Sequence, residues 1–420
     1  MTLRGLRLAH LIESDGPGGA ERMVASLAAE LQAAGAENFV IAPANGEGWL
    51  AHELSGTGVQ VEPFRLDRPM SPSFARWLTE TLRRHRVALA HSHEFTMAVY
   101  GAWAARRAGV AHLFTMHGSR YYAERLQRRV AMRVAAALSG SVVAVSQSLA
   151  RHLSRDLWLR ASRIVTIPNG ASLAPVAHST LRAELRLGAD DRLALAVGNL
   201  YPVKGHSYLL EAFGLLARRF PRLHVAIAGR GDLDAPLRSR ARALGVGDRF
   251  HLLGLRSDVG NLLASADVFV LPSLSEGLPL ALIEAMLAAR PIVATAVGEI
   301  STVLSGGRDG ILVPPGDAAA LAHALADVLS DPTEARRLSS AAALRAEDYT
   351  LAKMTDRYVA LYQTLLSPRD RPNPLLESSE VARPEPAVGG ERAQLGREHA
   401  ASGEPGVPIQ APRAEFREIA

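Results

Sequence analysis

Two glutamates eight residues apart, Glu276 and Glu284, bracket the run Gly277-Leu278-Pro279-Leu280-Ala281-Leu282-Ile283. The residues just before, Asp267–Pro272, form an apolar run of strand length. Pro279 suits the first turn of a helix, where a missing N–H costs little. Glu276 is therefore expected on a Gly-containing loop at the carboxyl end of a strand, with Glu284 inside the helix that follows. Amides at a helix start, here those of Gly277 and Leu278, cradle phosphate. An acid within the first turns can reach past that phosphate to a sugar hydroxyl. The pattern suits a molecule with phosphate in its middle and hydroxyls at both ends, such as a nucleotide-sugar. Acids near helix starts are also favoured by the dipole alone, so a second feature has to decide.

That feature is a lysine. Of 47 basic Lys and Arg residues only Lys204 and Lys353 are Lys. Lys204 lies in Val197-Gly198-Asn199-Leu200-Tyr201-Pro202-Val203-Lys204-Gly205, between the apolar strand Leu193–Val197 and the helical run Ser207–Ala217. Lys is a compact point charge suited to phosphate, whereas Arg is a planar fork. Lys204 at a strand-to-helix turn reads as a phosphate contact.

The elements that must hold these residues alternate between apolar strands and helical runs, as parallel sheets with crossover helices do. Strands are expected near Arg7–Ile12, Phe39–Ala42, Ala88–His91, Ala111–Thr115, Val142–Val145 and Ile164–Ile167, with helices at Gly19–Ala34 and Ser119–Ala137 among others. A second set is expected near Leu193–Val197, Leu223–Ala228, Phe250–Leu253, Val268–Leu271, Ile292–Ala294 and Ile311–Val313. Helices follow at Asp317–Leu329, Thr333–Ala346 and Thr350–Leu366. The fold class is α/β, with two Rossmann-like parallel-sheet domains. Residues 1–170 make the first domain, 171–190 the linker, and 191–350 the second domain. Residues 367–420 hold 8 of the 24 Pro and one aromatic residue, too little apolar surface for a core, and are expected to be disordered.

These residues closely resemble the family 4 retaining glycosyltransferases of the GT-B fold. Glu276, Gly277 and Glu284 match that family's Glu-x7-Glu motif, and Gly198, Leu200, Lys204 and Gly205 match its lysine turn. Gly18-Gly19-Ala20-Glu21 matches its loop after the first strand, Thr115-Met116-His117-Gly118 a histidine turn, and Pro168-Asn169-Gly170 an interdomain turn. The likeness runs from about Leu6 to Tyr362. It implies two domains facing a cleft, the first on the acceptor side and the second binding the nucleotide-sugar, with the helix 351–366 crossing back to the first.

The resemblance also implies roles. Lys204 and the Gly277–Leu278 amides, beside Pro279, would stabilise the leaving diphosphate, as preorganised electrostatics aimed where charge develops. Glu284 would hold the ribose hydroxyls, and Glu276 would orient the transferred sugar. His117 would contact that sugar at the cleft. By position, opening a helix after the first strand, Gly18 and Gly19 make a phosphate- or substrate-approach loop; they lack the full spacing of a dinucleotide fingerprint, which leaves NAD binding as the lesser alternative. A carboxylate beside the anomeric carbon can also act as a nucleophile, as in retaining hydrolases. The family's usual course is same-face attack, with the donor phosphate taking the acceptor's proton. Asn199 departs from the family, which has Arg there, so the diphosphate clamp is one charge weaker. Arg230, ending the strand before Gly231, is the expected replacement.

Two sets of residues imitate metal ligands. His91-Ser92-His93-Glu94 is one, but strand residues alternate between faces, and the expectation is no joint ligation. Asp232 and Asp234 are the other. They follow a strand in a helix-starting position that favours Asp. No metal and no other cofactor are expected.

Composition sets the remaining bounds. At 420 residues the chain holds about two domains of roughly 150 residues. It has no Cys, which excludes disulfides and thiolate chemistry and fits a reducing compartment. The N-terminal apolar run is too short for a signal peptide. No apolar stretch approaches the ~18 residues needed to span a bilayer. A cytoplasmic protein is expected, soluble or peripheral on the inner face of the cytoplasmic membrane. Residues 1–180 carry 20 Arg against 13 acids, while the whole chain is +5, so the first half is the positive one. No interleaving of basic and aromatic residues suggests nucleic acid. An anionic membrane or acceptor suits the charge better. In the helical run from Arg125 to Leu138, Arg125, Arg128, Arg129 and Arg133 fall within an arc of about 140°, and Leu126, Val130, Val134 and Leu138 fall on the other side. The arginine face would either dock on anionic lipid or simply solvate a helix above the core.

The expected function is transfer of a sugar from a UDP- or GDP-linked donor to a glycan or lipid-linked acceptor, with retention and without metal. Two alternatives belong to other classes. A sugar-nucleotide epimerase or phosphorylase on the same fold would differ in its need for a second sugar acceptor. A non-catalytic GT-B partner subunit would show no turnover alone.

Overall fold

The computed structural model describes residues 3–66, 68, 70–118, 121–174 and 176–367. The first sheet contains β1 (Arg7–Leu11), β2 (Glu37–Pro43), β3 (Gln60–Phe64), β4 (Leu89–His93), β5 (Ala111–Met116), β6 (Ser141–Ala144) and β7 (Ile164–Thr166). Its order is β3-β2-β1-β4-β5-β6-β7, with every pair parallel. The second contains β8 (Arg192–Val197), β9 (Leu223–Ala228), β10 (Phe250–Leu252), β11 (Val268–Leu271), β12 (Ile292–Thr295) and β13 (Ile311–Val313), in the order β10-β9-β8-β11-β12-β13. Helices cover the sheets, so strands such as β11 are buried along their whole length and read as unbroken apolar runs. The strand order reverses between β1 and β4, and again between β8 and β11. Such switch points open crevices at the carboxyl ends of strands, where ligands bind in open α/β sheets.

One strand escaped the sequence reading. β3 carries Pro63 and exposes Gln60, and proline is tolerated only at a sheet edge, which is where β3 lies.

The last helix, Leu351–Leu366, returns to the first domain. Its Leu351, Met354, Tyr358 and Tyr362 share one apolar cluster with Leu8, Met23, Leu27 and Leu113. Tyr362 Oη bonds His91 Nδ1 at 2.7 Å, and Tyr358 Oη bonds Thr115 Oγ1 at 3.1 Å. A bridge pairs Ala171 with Thr350, where the chain passes between domains. The expected disorder of residues 367–420 concerns a stretch that, after Ser367, lies outside the described residues.

The arginine helix corrects its expected orientation. It runs from Leu126 to Leu138, after a short turn at Tyr121–Ala123. Its core face is Met132, Ala135 and Ala136, while Leu126, Val130, Val134 and Leu138 are exposed. Small side chains let the helix lie close on the domain core, and the larger aliphatic stripe is turned out. The arginines do not simply solvate the surface. Arg129 donates to Ala123 O at 2.9 and 3.1 Å, and Arg133 to Leu157 O at 2.8 Å. Arg128 pairs with Glu124 at 2.7 Å and lies over the Tyr121 ring.

Candidate active site

A cavity of about 300 Å³ opens between the carboxyl ends of the two sheets. The first domain contributes Gly18, Gly19, Arg22 and His117. The second contributes Asn199, Lys204, Arg256, Glu276, Gly277, Leu278, Pro279 and Glu284. Ten residues singled out in the sequence thus meet in one place, from loops spread over more than half the chain.

Local conformation explains how Lys204 and Glu276 come together. Lys204 ends a short 3-10 turn, and Gly205 follows with φ +67. A Cβ on Gly205 would sit 1.9 Å from Pro272 O, so only glycine lets this turn touch the end of β11. The Glu276 loop begins there. Lys204 Nζ donates to Glu276 Oε1 at 2.7 Å, and Ser273 Oγ donates to the same oxygen at 2.7 Å. Thr295 Oγ1 in turn holds Ser273 O at 2.6 Å. The carboxylate is therefore fixed by a cation and a hydroxyl, and Thr295 holds the backbone of the residue that bears the hydroxyl.

The next loop meets the first domain. Gly277 passes so close to His117 that an added Cβ would lie 2.6 Å from His117 O. Asn169 Nδ2, from the interdomain turn, donates to Leu278 O at 3.0 Å. Pro279 is the N-cap of the helix Leu280–Leu287, one position earlier than its expected place in the first turn. Glu284 lies in that helix. Burial pushes its pKa up, and Arg22 opposes that shift, with Nη1 at 3.5 Å from Glu284 Oε1. Arg22 comes from the helix Gly19–Ala33, for which Gly18 is the N-cap.

His117 is half-buried on the cavity wall, and desolvation lowers its pKa to about 4, so the ring is neutral near pH 7. Its Nε2 bonds His93 Nδ1 at 3.1 Å, while Nδ1 has no partner. The His117 amide donates to Glu94 Oε1 at 3.0 Å. Glu94 opens its helix with φ +63. Burial, with Glu13 close by, raises its pKa to about 8.

Arg230 corrects an expectation. Its guanidinium binds both carboxylate oxygens of Glu47 in the first domain and does not line the cavity. The arginines that share the cavity wall with Asn199 are Arg22 and Arg256, each paired with acids. Arg256 is gripped by Asp258 at 2.6 and 2.7 Å and by Glu184 at 2.8 Å. Those acids hold its pKa above the ordinary arginine value, and Arg256 holds Asp258 below the usual carboxylate range. Neither arginine was singled out from sequence. Arg22 directly follows Gly18-Gly19-Ala20-Glu21, and Arg256 stands just past a strand end, so position alone was a usable signal. Asp234 opens the helix Asp234–Ala243 and pairs with Arg238 at 2.7 Å, as its helix-start position implied.

The histidine run also needs correction. Residues two apart on a strand share a face, so His91 and His93 point the same way, and His10 of β1 joins them.

Two family models match in tandem. "Glycosyltransferase Family 4" covers residues 17–174, and "Glycosyl transferases group 1" covers 178–345. A phosphatidyl-myo-inositol mannosyltransferase of Mycobacterium leprae is 30% identical over 367 residues, spanning 84% of this chain and 94% of that protein. The chain belongs to the family 4 glycosyltransferases. An alpha-D-kanosaminyltransferase of Streptomyces kanamyceticus is also 30% identical, over 68% of this chain and 79% of that one. Among solved structures, this glycosyltransferase resembles HepE of Anabaena, crystallised with UDP and glucose. The TM-score is 0.74 at 22% identity, covering 86% of this chain and all of that one, which establishes the shared two-domain fold. No helix among the described residues is long and apolar enough to cross a membrane.

Proposed function

We propose that this glycosyltransferase moves a sugar from a UDP- or GDP-linked donor to a glycan or lipid-linked acceptor, with retention of configuration. The observation that carries this reading is the Lys204–Glu276 pair, 2.7 Å apart, set beside Glu284 and the Gly277–Pro279 helix start in one interdomain cavity. The diphosphate lies against Lys204 and the amides, with Arg22 and Arg256 as guanidinium donors on the same cavity wall. Glu284 receives the ribose hydroxyls, and Glu276 orients the transferred sugar against His117. As the bond to the sugar breaks, charge grows on the diphosphate, where fixed cations act most strongly. That phosphate takes the acceptor's proton as the acceptor attacks from the same face. Side-chain cations carry the diphosphate here, and no metal is assigned to it.

The M. leprae relative is named for a phosphatidylinositol acceptor, which supports a lipid-linked acceptor and a peripheral position on an anionic membrane. The exposed Leu126, Val130, Val134 and Leu138 stripe, flanked by Arg125 and with exposed Trp158 near Arg133, has the amphipathic character of an interfacial helix.

A donor panel read by released nucleoside diphosphate, with and without added Mg²⁺ or Mn²⁺, tests the reaction. NMR of the anomeric proton of the product tests retention. Release that needs no acceptor, inverted product, or strict dependence on added metal would each refute its part of the reading.

A further inference from the structure

The first-domain sheet buries three imidazoles side by side that sugar transfer does not use. His10 on β1 stands opposite His91 on β4 in the parallel register, and His93 follows on the same face. One ring nitrogen of each lies within 4.8 Å of the other two. The ring centroids are 4.1 Å apart for His91 and His93, and 5.5 and 5.8 Å from His10 to each. All three side chains are shut off from solvent.

Their lone pairs are unevenly satisfied. Neither nitrogen of His10 has a hydrogen-bond partner, nor does His93 Nε2. Buried polar atoms left this way are costly and uncommon in folded proteins. His93 Nδ1 is committed to His117 Nε2, so Nε2 is the atom left to meet a ligand. His91 bonds Thr115 Oγ1 and Tyr362 Oη, both at 2.7 Å, and either hydroxyl can orient the ring while the other nitrogen is given up. Asn38 Oδ1 is also without a partner.

We propose that His10, His91 and His93 form a binding site for one divalent cation of the zinc class. Three imidazoles suit zinc, and outer hydroxyls and amides commonly orient such ligands. Zinc–nitrogen bonds of about 2.0–2.1 Å place tetrahedral nitrogens ~3.4 Å apart, so the rings rotate inward as the ion binds. The site lies within the first domain and takes no part in the diphosphate chemistry proposed above, so either reading can fail alone.

Co²⁺ serves as the probe. The full chain, chelator-treated and desalted, is titrated with Co²⁺ while visible absorption is recorded, and Zn²⁺ is then added in competition. One bound equivalent is expected, with the visible absorption of a nitrogen-ligated centre, displaced by Zn²⁺ and accompanied by a rise in Tm. His10→Gln should weaken binding by at least about 10- to 100-fold. His224→Gln, at the separate and partly exposed His224–His251 pair, should leave binding unchanged. If His10→Gln does not fold, His93→Gln is read in its place, and the wild-type stoichiometry and spectrum still decide the matter. Folded wild-type chain that holds no Co²⁺, or a histidine variant that holds it as tightly as wild type, overturns the proposal.

Discussion

Replacing Lys204 by alanine removes a cation that does two jobs at once. Loss of one preorganised donor to a developing anion costs about 2.7–4 kcal/mol, a fall in kcat of about 100- to 1000-fold. The structure adds a second consequence. Lys204 Nζ also holds Glu276, whose side chain is only 8% exposed, so the alanine leaves that carboxylate with Ser273 Oγ alone. Removing one partner of an enclosed ion pair is damaging because the other charge stays behind unpaired. Neutralising Glu276 as well should therefore recover part of the loss. In a cycle of Lys204→Ala, Glu276→Gln and the double variant, the double should lose less than the product of the single losses, by a coupling of roughly 0.5–3 kcal/mol. Initial rates of nucleoside diphosphate release at saturating donor and acceptor measure this, with circular dichroism to establish folding. Near-wild-type kcat in folded Lys204→Ala would end the phosphate reading. Losses that multiply without coupling would end the claim that the pair acts as a unit.

Four further outcomes are expected. Glu284→Ala should raise the donor KM more than it lowers kcat, because ribose contacts are equal in ground and transition states; an unchanged KM would reject that role. Asn199→Arg should tighten UDP binding measured by calorimetry, by restoring a charge-assisted phosphate contact, whereas weaker binding would mean that Arg22 and Arg256 already fill the space. Glu94 has its folded pKa raised to about 8, so its contribution is fully present below the ordinary carboxylate range and is lost as pH rises through 8. Glu94→Gln should thus gain Tm relative to wild type between pH 5 and pH 9, on the scale of 1.36 kcal/mol per pKa unit, and parallel curves would refute it. Val130→Asp with Val134→Asp should release the chain from anionic vesicles in sedimentation while UDP binding persists; equal sedimentation of both proteins would dismiss the interfacial helix.

Much of the fold was legible because parallel strands are buried on both faces and announce themselves as apolar runs. The ends of β9, β11 and β13 were read to the residue for that reason. β3 was not, since an edge strand needs no apolar run and Pro63 argued against it. Periodicity identified the helix Leu126–Leu138 as two-faced without revealing which face goes in. Close packing preferred Met132, Ala135 and Ala136 to the bulkier stripe. Around the cavity, glycine turns and motif spacing located the backbone-determined positions, Gly205 behind Lys204 and Gly277 on the wall. Arg22 and Arg256 were missed because their meaning depends on what lies opposite. Glu284 for the one, and Asp258 with Glu184 for the other, become neighbours only through the fold. Arg230 failed the other way: the sequence placed it at a strand end, but Glu47, 183 positions away, claims its charge.

The helix Leu351–Leu366 has a consequence for how the chain is made. It completes a cluster begun by Leu8, Met23 and Leu27, and His91 and Tyr362 bond across 271 positions. A ribosome adding about 5–20 residues per second needs roughly ten seconds or more to go from the end of the first domain to the helix that seals it. During that interval the nascent first domain presents an unsealed apolar surface, the kind that chaperones bind and that aggregates. Chains halted before Leu351 should therefore be captured by holdase chaperones and cut readily by protease at the first domain, with protection arriving only when Tyr362 has cleared the exit tunnel.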